Sequence, residues 1–226
     1  MMGSIVTYAV IFDVDGVLVD SYRAHFESWH VVAAEVGVTF TEQQFAATFG
    51  RTSRDIIKQL WGEKANMSDE RIAELDDRKE AEYRRIIADD FPHMDGAVEL
   101  IEALHDDGFN LAVGSSGPPA NVELVLDSLD RREMFSAMVT GVDVTRGKPD
   151  PQVFQLAAER LGVPPECCAV VEDAPAGVAA ANRAGMLSIG FASTGRAIEE
   201  LNEARLAVHS LGELTPQIIR RHLPVS

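Results

Sequence analysis

Cysteine is scarce in this chain of 226 residues, which contains only Cys167 and Cys168. Because the two cysteines are adjacent, they suit neither a framework of disulfides nor the C-x-x-C spacing of a metal site. The pair therefore argues against a small disulfide-stapled protein and against a zinc module of that type. We expect two buried thiols in a reducing, cytoplasmic environment.

Positive charge is scarce as well. The chain has 20 Lys and Arg against 36 Asp and Glu, and its formal net charge at pH 7 is −16. This balance disfavours nucleic acids and anionic membranes as partners, because both carry negative charge. A small anionic substrate remains compatible with the negative net charge, since the binding of such a substrate depends on the charges at its site. Half of the basic residues lie within residues 22–92, so this region differs in character from the rest.

Long apolar runs are missing too. No stretch approaches the roughly 20 residues that a membrane-spanning helix needs. The first ten residues, MMGSIVTYAV, lack the basic start and the A-x-A-like cleavage site of a secretion signal. With 46% hydrophobic and 25% charged residues, the composition is that of an ordinary soluble globular protein. We expect a cytoplasmic monomer or weak homodimer that contacts no membrane.

Two hydrophobicity patterns divide the chain. An apolar strand at residues 5–12 is followed by residues 22–92, where every plausible segment is helical. From residue 95 onward, short apolar strands alternate with amphipathic helices, which is typical of a doubly wound parallel sheet. We therefore predict an α/β fold. Its Rossmann-like core comprises residues 1–21 and 93–226, and an all-helical domain of residues 22–92 is inserted after the first strand.

The predicted strands end in polar residues. In open α/β sheets, ligands bind beyond the carboxyl ends of the strands, so these residues are expected to converge on one site. They are Asp13 and Asp15 after the first strand, Ser115 and Ser116 after the second, Lys148 after the third, and Glu172 and Asp173 after the fourth. One site would then hold four carboxylates, hydroxyl groups and one ammonium group.

This set of side chains favours phosphoryl transfer at a magnesium ion. Clustered carboxylates are hard oxygen ligands of the kind that Mg²⁺ prefers, and the ion relieves their mutual repulsion. A carboxylate can also attack phosphorus and form an aspartyl-phosphate. Ser115 and Lys148 can hold the phosphoryl oxygens. Asp15 shares a face with Asp13 if the chain stays extended, and there it can act as acid and base.

Each residue type also has a plainer interpretation. D-x-D-G can open a calcium loop, but an EF-hand needs an oxygen ligand at its fifth position and Glu at its twelfth, where this chain has Val17 and Ala24. Ser115 alone suits a turn, and Lys148 alone suits a solvated surface. Glu172 and Asp173 suit the N-terminus of a helix. These separate explanations do not account for the finding that the residues at four strand ends together suit a single reaction. The chain has no nucleotide-binding loop of the type G-x-x-x-x-G-K-[ST] or G-x-G-x-x-G.

Four segments, DVDGVLVDS, VGSS, GKPDPQVF and VVEDAPAGVAAANRAG, match the motifs of a known family in their order. Together they resemble the haloacid dehalogenase superfamily, and within it the beta-phosphoglucomutase-like branch, which includes sugar and polyol phosphatases. The resemblance spans nearly the whole chain. It implies that residues 22–92 are similar to the small helical cap of that family, which closes over the site and excludes water.

The resemblance also implies a role for each core residue. Asp13 corresponds to the nucleophile and Asp15 to the general acid and base. Ser115 and Lys148 correspond to the residues that hold the phosphoryl group. The implied cofactor is Mg²⁺, and its ligands are Asp13, the backbone carbonyl of Asp15, Glu172 and Asp173.

In the cap, the resemblance points to several substrate contacts. His25 occupies a position where related mutases have a histidine that lines the site, although a lone histidine on a helix is commonly structural. The segment GRTSRD resembles the substrate-contacting cap loop but is one residue longer than the mutase form, so Arg51 and Arg54 are alternatives. Lys79 fits another contact or a solvated helix face. The predicted substrate-binding residues are His25, Gly50, Arg51, Arg54, Lys79 and Ser116.

One departure from the mutases concerns the residues after Ser115. Related mutases have a polar run there, with serine, lysine and asparagine, that holds a second phosphate. This chain has Ser116-Gly117-Pro118-Pro119, which lacks the lysine and contains two residues without an N–H. We therefore predict a Mg²⁺-dependent phosphatase acting on a small phosphorylated metabolite, a sugar or polyol monophosphate, through an aspartyl-phosphate. A hexose-phosphate mutase is the alternative.

Two other classes of protein share parts of this pattern. Receiver domains of signalling proteins also combine aspartates, Ser or Thr and Lys around Mg²⁺, but they are much shorter and usually lack an inserted cap. A non-catalytic binding protein could retain the fold without the chemistry. Every position that the chemistry needs is filled in this chain, which favours an enzyme.

Overall fold

The structure is a computed structural model that describes residues 7–48, 51–62 and 67–224. Gly50, one of the predicted substrate contacts, lies outside the described residues. All statements below concern the described part of the chain.

The chain divides into two compact units. One contains the described residues up to Asp20 and from His93 onward, and the other contains those from Ser21 to Pro92. The second unit thus begins one residue before the start that the sequence pattern suggested.

The first unit is built on a six-stranded parallel sheet. Its strands are β1 (Ala9–Phe12), β2 (Asn110–Gly114), β3 (Phe135–Val139), β4 (Cys168–Glu172), β5 (Leu187–Phe191) and β6 (Leu206–Val208). They are arranged in the order β3-β2-β1-β4-β5-β6, and every neighbouring pair is parallel. This is the strand order of a doubly wound Rossmann sheet. The predicted fold class is confirmed.

The central strands are apolar along their whole length. β1 reads AVIF and β4 reads CAVVE, and all their residues are buried. A parallel sheet covered by helices on both faces buries both sides of each strand, so the sequence lacks the alternation of a half-exposed strand. The hydrophobic core of this unit therefore lies on both faces of β1 and β4.

The second unit is helical. Its helices are α1 (Tyr22–Glu35), α2 (Glu42–Thr48), α3 (Ser53–Ile57) and α4 (Asp69–Asp89), and a π-helical turn, Lys58–Gly62, follows α3 directly. Among its described residues there is no strand. α1 packs against α4, and an ion pair between Arg78 and Glu35, at 2.7 Å, joins the two helices.

Aromatic side chains form the core of the helical unit. Trp29 on α1 contacts the ring of Trp61 edge-on, with centroids 5.4 Å apart, and Phe40 contacts Trp61 at 5.8 Å. All three side chains are buried. Such aromatic pairs contribute about 0.5–1.5 kcal/mol beyond the burial of their area. They give the short helices of this unit a common core.

The described residues of the first unit also form five α-helices. They are α5 (Ala97–Asp106), α6 (Pro119–Ser128), α7 (Gln152–Leu161), α8 (Pro175–Arg183) and α9 (Pro216–Arg221). None of the helices in the described residues combines the length and the apolar character that a bilayer crossing requires.

The start of α7 differs from the sequence pattern. The sequence segment PDPQVFQLAAERLG predicts a helix from Pro149, because proline suits the first turn of a helix, whereas α7 begins at Gln152. A second proline explains the difference, because the residue before Pro151 is disfavoured from helical geometry. That residue, Asp150, instead accepts a hydrogen bond at Oδ1 from the N–H of Gln152, at 3.0 Å. The segment before the helix therefore remains a loop.

The chain leaves and re-enters the α/β unit at adjacent points. Val19 and His93 form an isolated antiparallel bridge, and the N–H of Met94 donates to the carbonyl of Leu18 at 3.3 Å. The helical unit is thus inserted between two neighbouring segments, without interrupting the sheet.

The two cysteines are free thiols, and both are buried as predicted. Burial raises the pKa of Cys168 to about 12, and the adjacent Cys167 and Glu166 add to the effect. A thiol with so high a pKa has almost no thiolate at neutral pH and is a poor nucleophile. Cys168 therefore has a packing role at the start of β4.

Candidate functional site

The sheet has its switch point between β1 and β4. The strand order runs outward from β1 on one side and from β4 on the other, and ligands of such sheets bind outside the carboxyl ends at this point. Asp13 follows β1 directly, and its N–H donates to the carbonyl of Val171 in β4 at 3.0 Å. Glu172 is the last residue of β4. Both acids therefore stand at the position where this fold binds ligands.

Asp13, Glu172 and Asp173 form a buried acidic cluster. One oxygen atom from each lies within 4.8 Å of the others, and all three residues are buried. Burial raises the pKa of Asp13 well above its ordinary value of 3.8, and the two other acids add to the rise against the opposing charge of Lys148. Burial and the charge of Glu172 raise the pKa of Asp173 to about 7. The cluster is thus short of positive charge.

One ammonium group lies within this cluster. Lys148 Nζ is 2.7 Å from Asp13 Oδ1 and 2.5 Å from Glu172 Oε1, and its side chain is 4% exposed. Burial by itself would lower the pKa of Lys148, but the two carboxylates outweigh burial and raise it. The interpretation of Lys148 as a solvated surface residue is therefore wrong. A single ammonium cannot balance three carboxylates.

Mg²⁺ fits the cluster by its chemistry. The donors are hard carboxylate oxygens, which this ion prefers, and they lie close enough together for one ion to reach them with small adjustments. Three carboxylates and one ammonium leave two negative charges uncompensated, which matches a divalent cation. The residues able to hold the ion are Asp13, Glu172 and Asp173.

Two glycines make room for the carboxylates. A Cβ atom on Gly177 would lie 1.8 Å from Glu172 Oε1, and one on Gly16 would lie 2.1 Å from Asp173 Oδ2. Gly16 also has a φ of 80°, which side chains disfavour. The glycines of the segments DVDG and EDAPAG are therefore required by the acids that they contact.

The loop that carries Lys148 is held at two points. Gln152 Oε1 accepts hydrogen bonds from the N–H groups of Thr145 and Arg146, at 3.0 and 2.9 Å. Arg183 on α8 donates to the carbonyl of Pro149 at 2.8 Å. These contacts fix the backbone on both sides of Lys148, so its ammonium group is positioned by the loop as well as by its ion pairs.

Asp15, Ser115 and Ser116 lie around one turn. The hydroxyl oxygen of Ser115 accepts from the N–H of Gly117 at 3.0 Å, which leaves its hydrogen available to donate. A Cβ atom on Gly117 would lie 3.3 Å from Ser115 Oγ and 3.8 Å from Asp15 Oδ2, so the hydroxyl and the carboxylate flank the same glycine. Ser116 is half-buried, and its backbone carbonyl packs against Gly141.

Ser193 and Arg196, which follow β5 in the chain, also belong to the site. Neither was predicted from the sequence. The hydroxyl of Ser193 donates to Asp173 Oδ2 at 2.7 Å. Arg196 forms an ion pair with Glu200 at 2.9 Å, and its charge opposes the rise in the pKa of Asp173. β5 borders β4, so including its carboxyl end among the strand ends would have identified Ser193. No sequence signal points to Arg196.

In the helical unit, Lys79 lies in a buried polar cluster. Its Nζ is 2.6 Å from His25 Nδ1 and 3.0 Å from Glu80 Oε1, and the residue is 2% exposed. Because an ammonium group only donates, Nδ1 of His25 accepts and Nε2 carries the hydrogen. The ring of His25 stacks on Tyr83, with centroids 3.9 Å apart. The interpretation of Lys79 as part of a solvated helix face is wrong.

Arg51 and Arg54 are exposed in the same unit. Arg51 donates to Gln59 Oε1 at 2.6 Å. Ser53, which lies between the two arginines, is buried and donates to the carboxylate of Glu80. The backbone of this segment is therefore anchored while both guanidinium groups remain at the surface.

The fold and the site define an α/β enzyme with an acidic centre at the switch point of its sheet. The sequence matches the model of the haloacid dehalogenase-like hydrolase family over residues 8–185. The chain belongs to this family, and the predicted family membership is confirmed.

Proteins of two activities are among the relatives. The chain is 34% identical over 208 residues to validoxylamine A 7'-phosphate phosphatase from Streptomyces hygroscopicus subsp. limoneus, covering 90% of this chain and 94% of the relative. It is 29% identical over 216 residues to beta-phosphoglucomutase from Bacillus subtilis, covering 93% of each. Among solved structures, beta-phosphoglucomutase from Clostridium difficile is similar, with a TM-score of 0.87, 26% identity and coverage of 96% of each chain.

We expect Asp173→Asn to stabilise the metal-free protein at alkaline pH. The pKa of Asp173 is raised from 3.8 to about 7 on folding, so its burial destabilises the folded state increasingly from about pH 4 and fully above about pH 7. The difference corresponds to about 4 kcal/mol. In chelator, the free energy of unfolding of Asp173→Asn should exceed that of the wild type at pH 8, and the excess should shrink toward pH 4.

The exposed Asp106 offers a matched control. Asp106→Asn removes the same charge at a solvated position, where a charge contributes little to the free energy of unfolding. Urea unfolding of the three proteins at several pH values measures the difference. An advantage of Asp173→Asn that stays constant from pH 5 to pH 8 would show that folding does not raise the pKa of Asp173.

Proposed function

We propose that this protein is a Mg²⁺-dependent phosphatase that hydrolyses a sugar or polyol monophosphate through an aspartyl-phosphate on Asp13. One observation supports this proposal above the others. A buried aspartate at the switch point of the sheet is bound to a buried lysine and lies within a cluster of three acids. That combination offers a nucleophile, a cation for the phosphoryl group and a metal site in one place.

Asp13 attacks phosphorus in the first step. Lys148 binds one oxygen of its carboxylate at 2.7 Å, and the other oxygen forms the bond to phosphorus while the bond between phosphorus and the ester oxygen breaks. Asp15 gives a proton to the departing ester oxygen, so the product leaves as an alcohol.

Water completes the reaction in the second step. Asp15, now ionised, takes a proton from a water molecule whose oxygen attacks the phosphorus of the aspartyl-phosphate. The bond between phosphorus and the Asp13 oxygen breaks, and inorganic phosphate and a free Asp13 carboxylate result. The half-buried position of Asp15 beside the turn of Ser115 is compatible with both proton transfers.

The remaining core residues hold the phosphoryl group and the metal. Ser115 donates its hydroxyl hydrogen to a phosphoryl oxygen, Ser116 lies in the same turn, and Lys148 contributes positive charge. Asp13, Glu172, Asp173 and the backbone carbonyl of Asp15 would hold Mg²⁺. The ion supplies the positive charge that neutralises the carboxylates and the phosphoryl oxygens.

We assign recognition of the rest of the substrate to the helical unit. Arg51 and Arg54 carry exposed guanidinium groups on an anchored segment, and such groups bind phosphate or hydroxyl oxygens in a fork. Lys79 is paired with Glu80 and contacts His25 Nδ1, so we assign it the role of holding the His25 ring, and we assign His25 that of lining the substrate site. Gly50 adjoins this segment in the sequence.

The turn after Ser115 favours hydrolysis over mutase activity. A mutase needs a second cationic site, because its bisphosphorylated intermediate must stay bound. α6 begins at this turn, with Pro118 at its N-cap and Pro119 as its first residue, and neither has an N–H to offer. Asn121, buried in the first turn of α6, is neutral and adds no positive charge. The similarity to beta-phosphoglucomutases keeps the mutase as the second candidate.

Asp13→Asn should abolish turnover. An amide is a poor nucleophile and a weaker metal ligand than a carboxylate, so we expect the loss in kcat to reach about 10³-fold or more. The assay is phosphate release from a panel of sugar and polyol monophosphates with Mg²⁺. Asp106→Asn is the matched control and should keep wild-type activity. Turnover by Asp13→Asn within about tenfold of wild type would rule out the assigned nucleophile.

The phosphatase and mutase candidates differ in their products. We expect net phosphate release from a sugar or polyol monophosphate, without any need for a bisphosphate activator. The test incubates the protein with beta-glucose 1-phosphate, with and without glucose 1,6-bisphosphate, and follows free phosphate and glucose 6-phosphate separately. The panel of monophosphates is assayed in parallel, because glucose 1-phosphate need not be the substrate. Fast isomerisation with negligible phosphate release would favour the mutase instead.

A further inference from the structure

We propose that Ser193 is a positioning residue that orients Asp173 and thereby sets the affinity of the site for Mg²⁺. The inference rests on the proposed metal site, since it assigns to Ser193 an effect on one of the metal ligands. Ser193 itself is not a ligand in this proposal. It acts through the hydrogen bond between its hydroxyl group and the Asp173 carboxylate.

The hydroxyl of Ser193 is held in a fixed place. Ser193 lies two residues beyond the end of β5, and its N–H donates to the carbonyl of Phe191 at 2.9 Å. The residue is buried, with 7% of its surface exposed. Its hydroxyl donates to Asp173 Oδ2 at 2.7 Å, which is within the range of charge-assisted hydrogen bonds to a carboxylate. The donor is therefore a buried hydroxyl group in the segment that directly follows β5.

A second contact confines the same carboxylate. The backbone of Gly16 approaches Asp173 so closely that a Cβ atom there would lie 2.1 Å from Oδ2 and 2.6 Å from Cγ. Ser193 and Gly16 thus constrain the carboxylate together, and Asp173 is only 2% exposed. With Oδ2 held by a donor, the orientation of the Asp173 carboxylate is set by the protein.

Asp173 depends on Ser193 because the ammonium group is used elsewhere. Lys148 Nζ binds both Asp13 and Glu172, at 2.7 and 2.5 Å. Glu172 has a further partner, since its Oε2 accepts from the N–H of Ala174 at 2.9 Å. Asp173 does not bind Lys148 at such a distance, and its carboxylate is held by the hydrogen bond from Ser193.

Fixing a ligand before the ion arrives raises affinity. A carboxylate that is free to rotate must be ordered when the metal binds, and repulsion from neighbouring acids turns it away while the metal is absent. Partners that orient metal ligands typically change metal affinity 10–100-fold when they are removed. Loss of the Ser193 hydroxyl should therefore weaken Mg²⁺ binding by about this factor.

Ser188, which lies within β5, provides a matched control. It is buried, its hydroxyl donates to Asn182 Oδ1 at 2.7 Å, and it accepts from the N–H of Arg205 at 3.0 Å. These partners lie outside the acidic cluster. Ser188→Ala removes a buried, hydrogen-bonded serine hydroxyl, as Ser193→Ala does, but it leaves the Asp173 carboxylate untouched.

The experiment measures Mg²⁺ binding to the full chain by isothermal titration calorimetry after removal of metal with chelator. We expect Ser193→Ala to raise the Kd for Mg²⁺ about 10–100-fold, while Ser188→Ala keeps the wild-type Kd. Ser193→Thr, which restores a hydroxyl, should recover most of the affinity. Circular dichroism verifies that each variant is folded, and Ser193→Cys, whose thiol is only a weak hydrogen-bond donor, tests the inference if the alanine variant is not folded.

The outcomes separate this inference from the proposed function. If the wild type binds Mg²⁺ and Ser193→Ala binds it equally well, Ser193 has no positioning role and the proposed metal site still stands. Equal weakening by Ser193→Ala and Ser188→Ala would also overturn the inference, because a general loss of stability would then explain both. Failure of the wild type to bind Mg²⁺ would overturn the metal site and the inference together.

Discussion

The buried contact of Lys148 with two carboxylates is the interaction on which the site depends. Removing an ammonium group and carboxylates from water is unfavourable unless they are paired at close range, and Lys148 Nζ lies 2.7 Å from Asp13 and 2.5 Å from Glu172. The pairing is incomplete, because Asp173 lies in the same cluster and its pKa is raised to about 7. A protein that buries three acids around one lysine has a centre that a divalent cation would stabilise. The burial of three acids around one lysine thus has two consequences: the site attracts a cation, and the folded protein is destabilised when the cation is absent.

The architecture of the sheet brings these charges together. β1 and β4 are neighbours although more than 150 residues separate them in the chain, so Asp13 and Glu172 meet at the switch point. Small residues then allow the close approach: Gly16 leaves space for Asp173, and Gly177 leaves space for Glu172. The site is therefore built on rigid strand ends, which suits a reaction that depends on positioning and charge neutralisation.

Most of the fold and the core of the site could be predicted from the sequence, because both depend on local patterns. Apolar strands that end in Asp, Ser and Glu identify the carboxyl ends of the sheet and the chemistry there, even when the distances between these side chains are unknown. The partners of the charged groups could not be predicted, since they depend on which side chains meet in space. Ser193 lies at a strand end like the others but belongs to no motif, and the pairing of Lys79 with Glu80 and His25 requires the packed helices. The start of α7 was misplaced because Pro151 disfavours helical geometry at the residue before it.

In the proposed reaction, Asp13 receives the phosphoryl group beside a Mg²⁺ ion held by the acidic cluster. A crystal structure of the protein grown with Mg²⁺ and beryllium trifluoride, which mimics a phosphoryl group on a carboxylate, tests both parts at once. We expect beryllium trifluoride on a carboxylate oxygen of Asp13, with Mg²⁺ at about 2.0–2.1 Å from oxygens of Asp13 and Asp173. Beryllium trifluoride on a different residue, or a Mg²⁺ ion bound away from these acids, would contradict it.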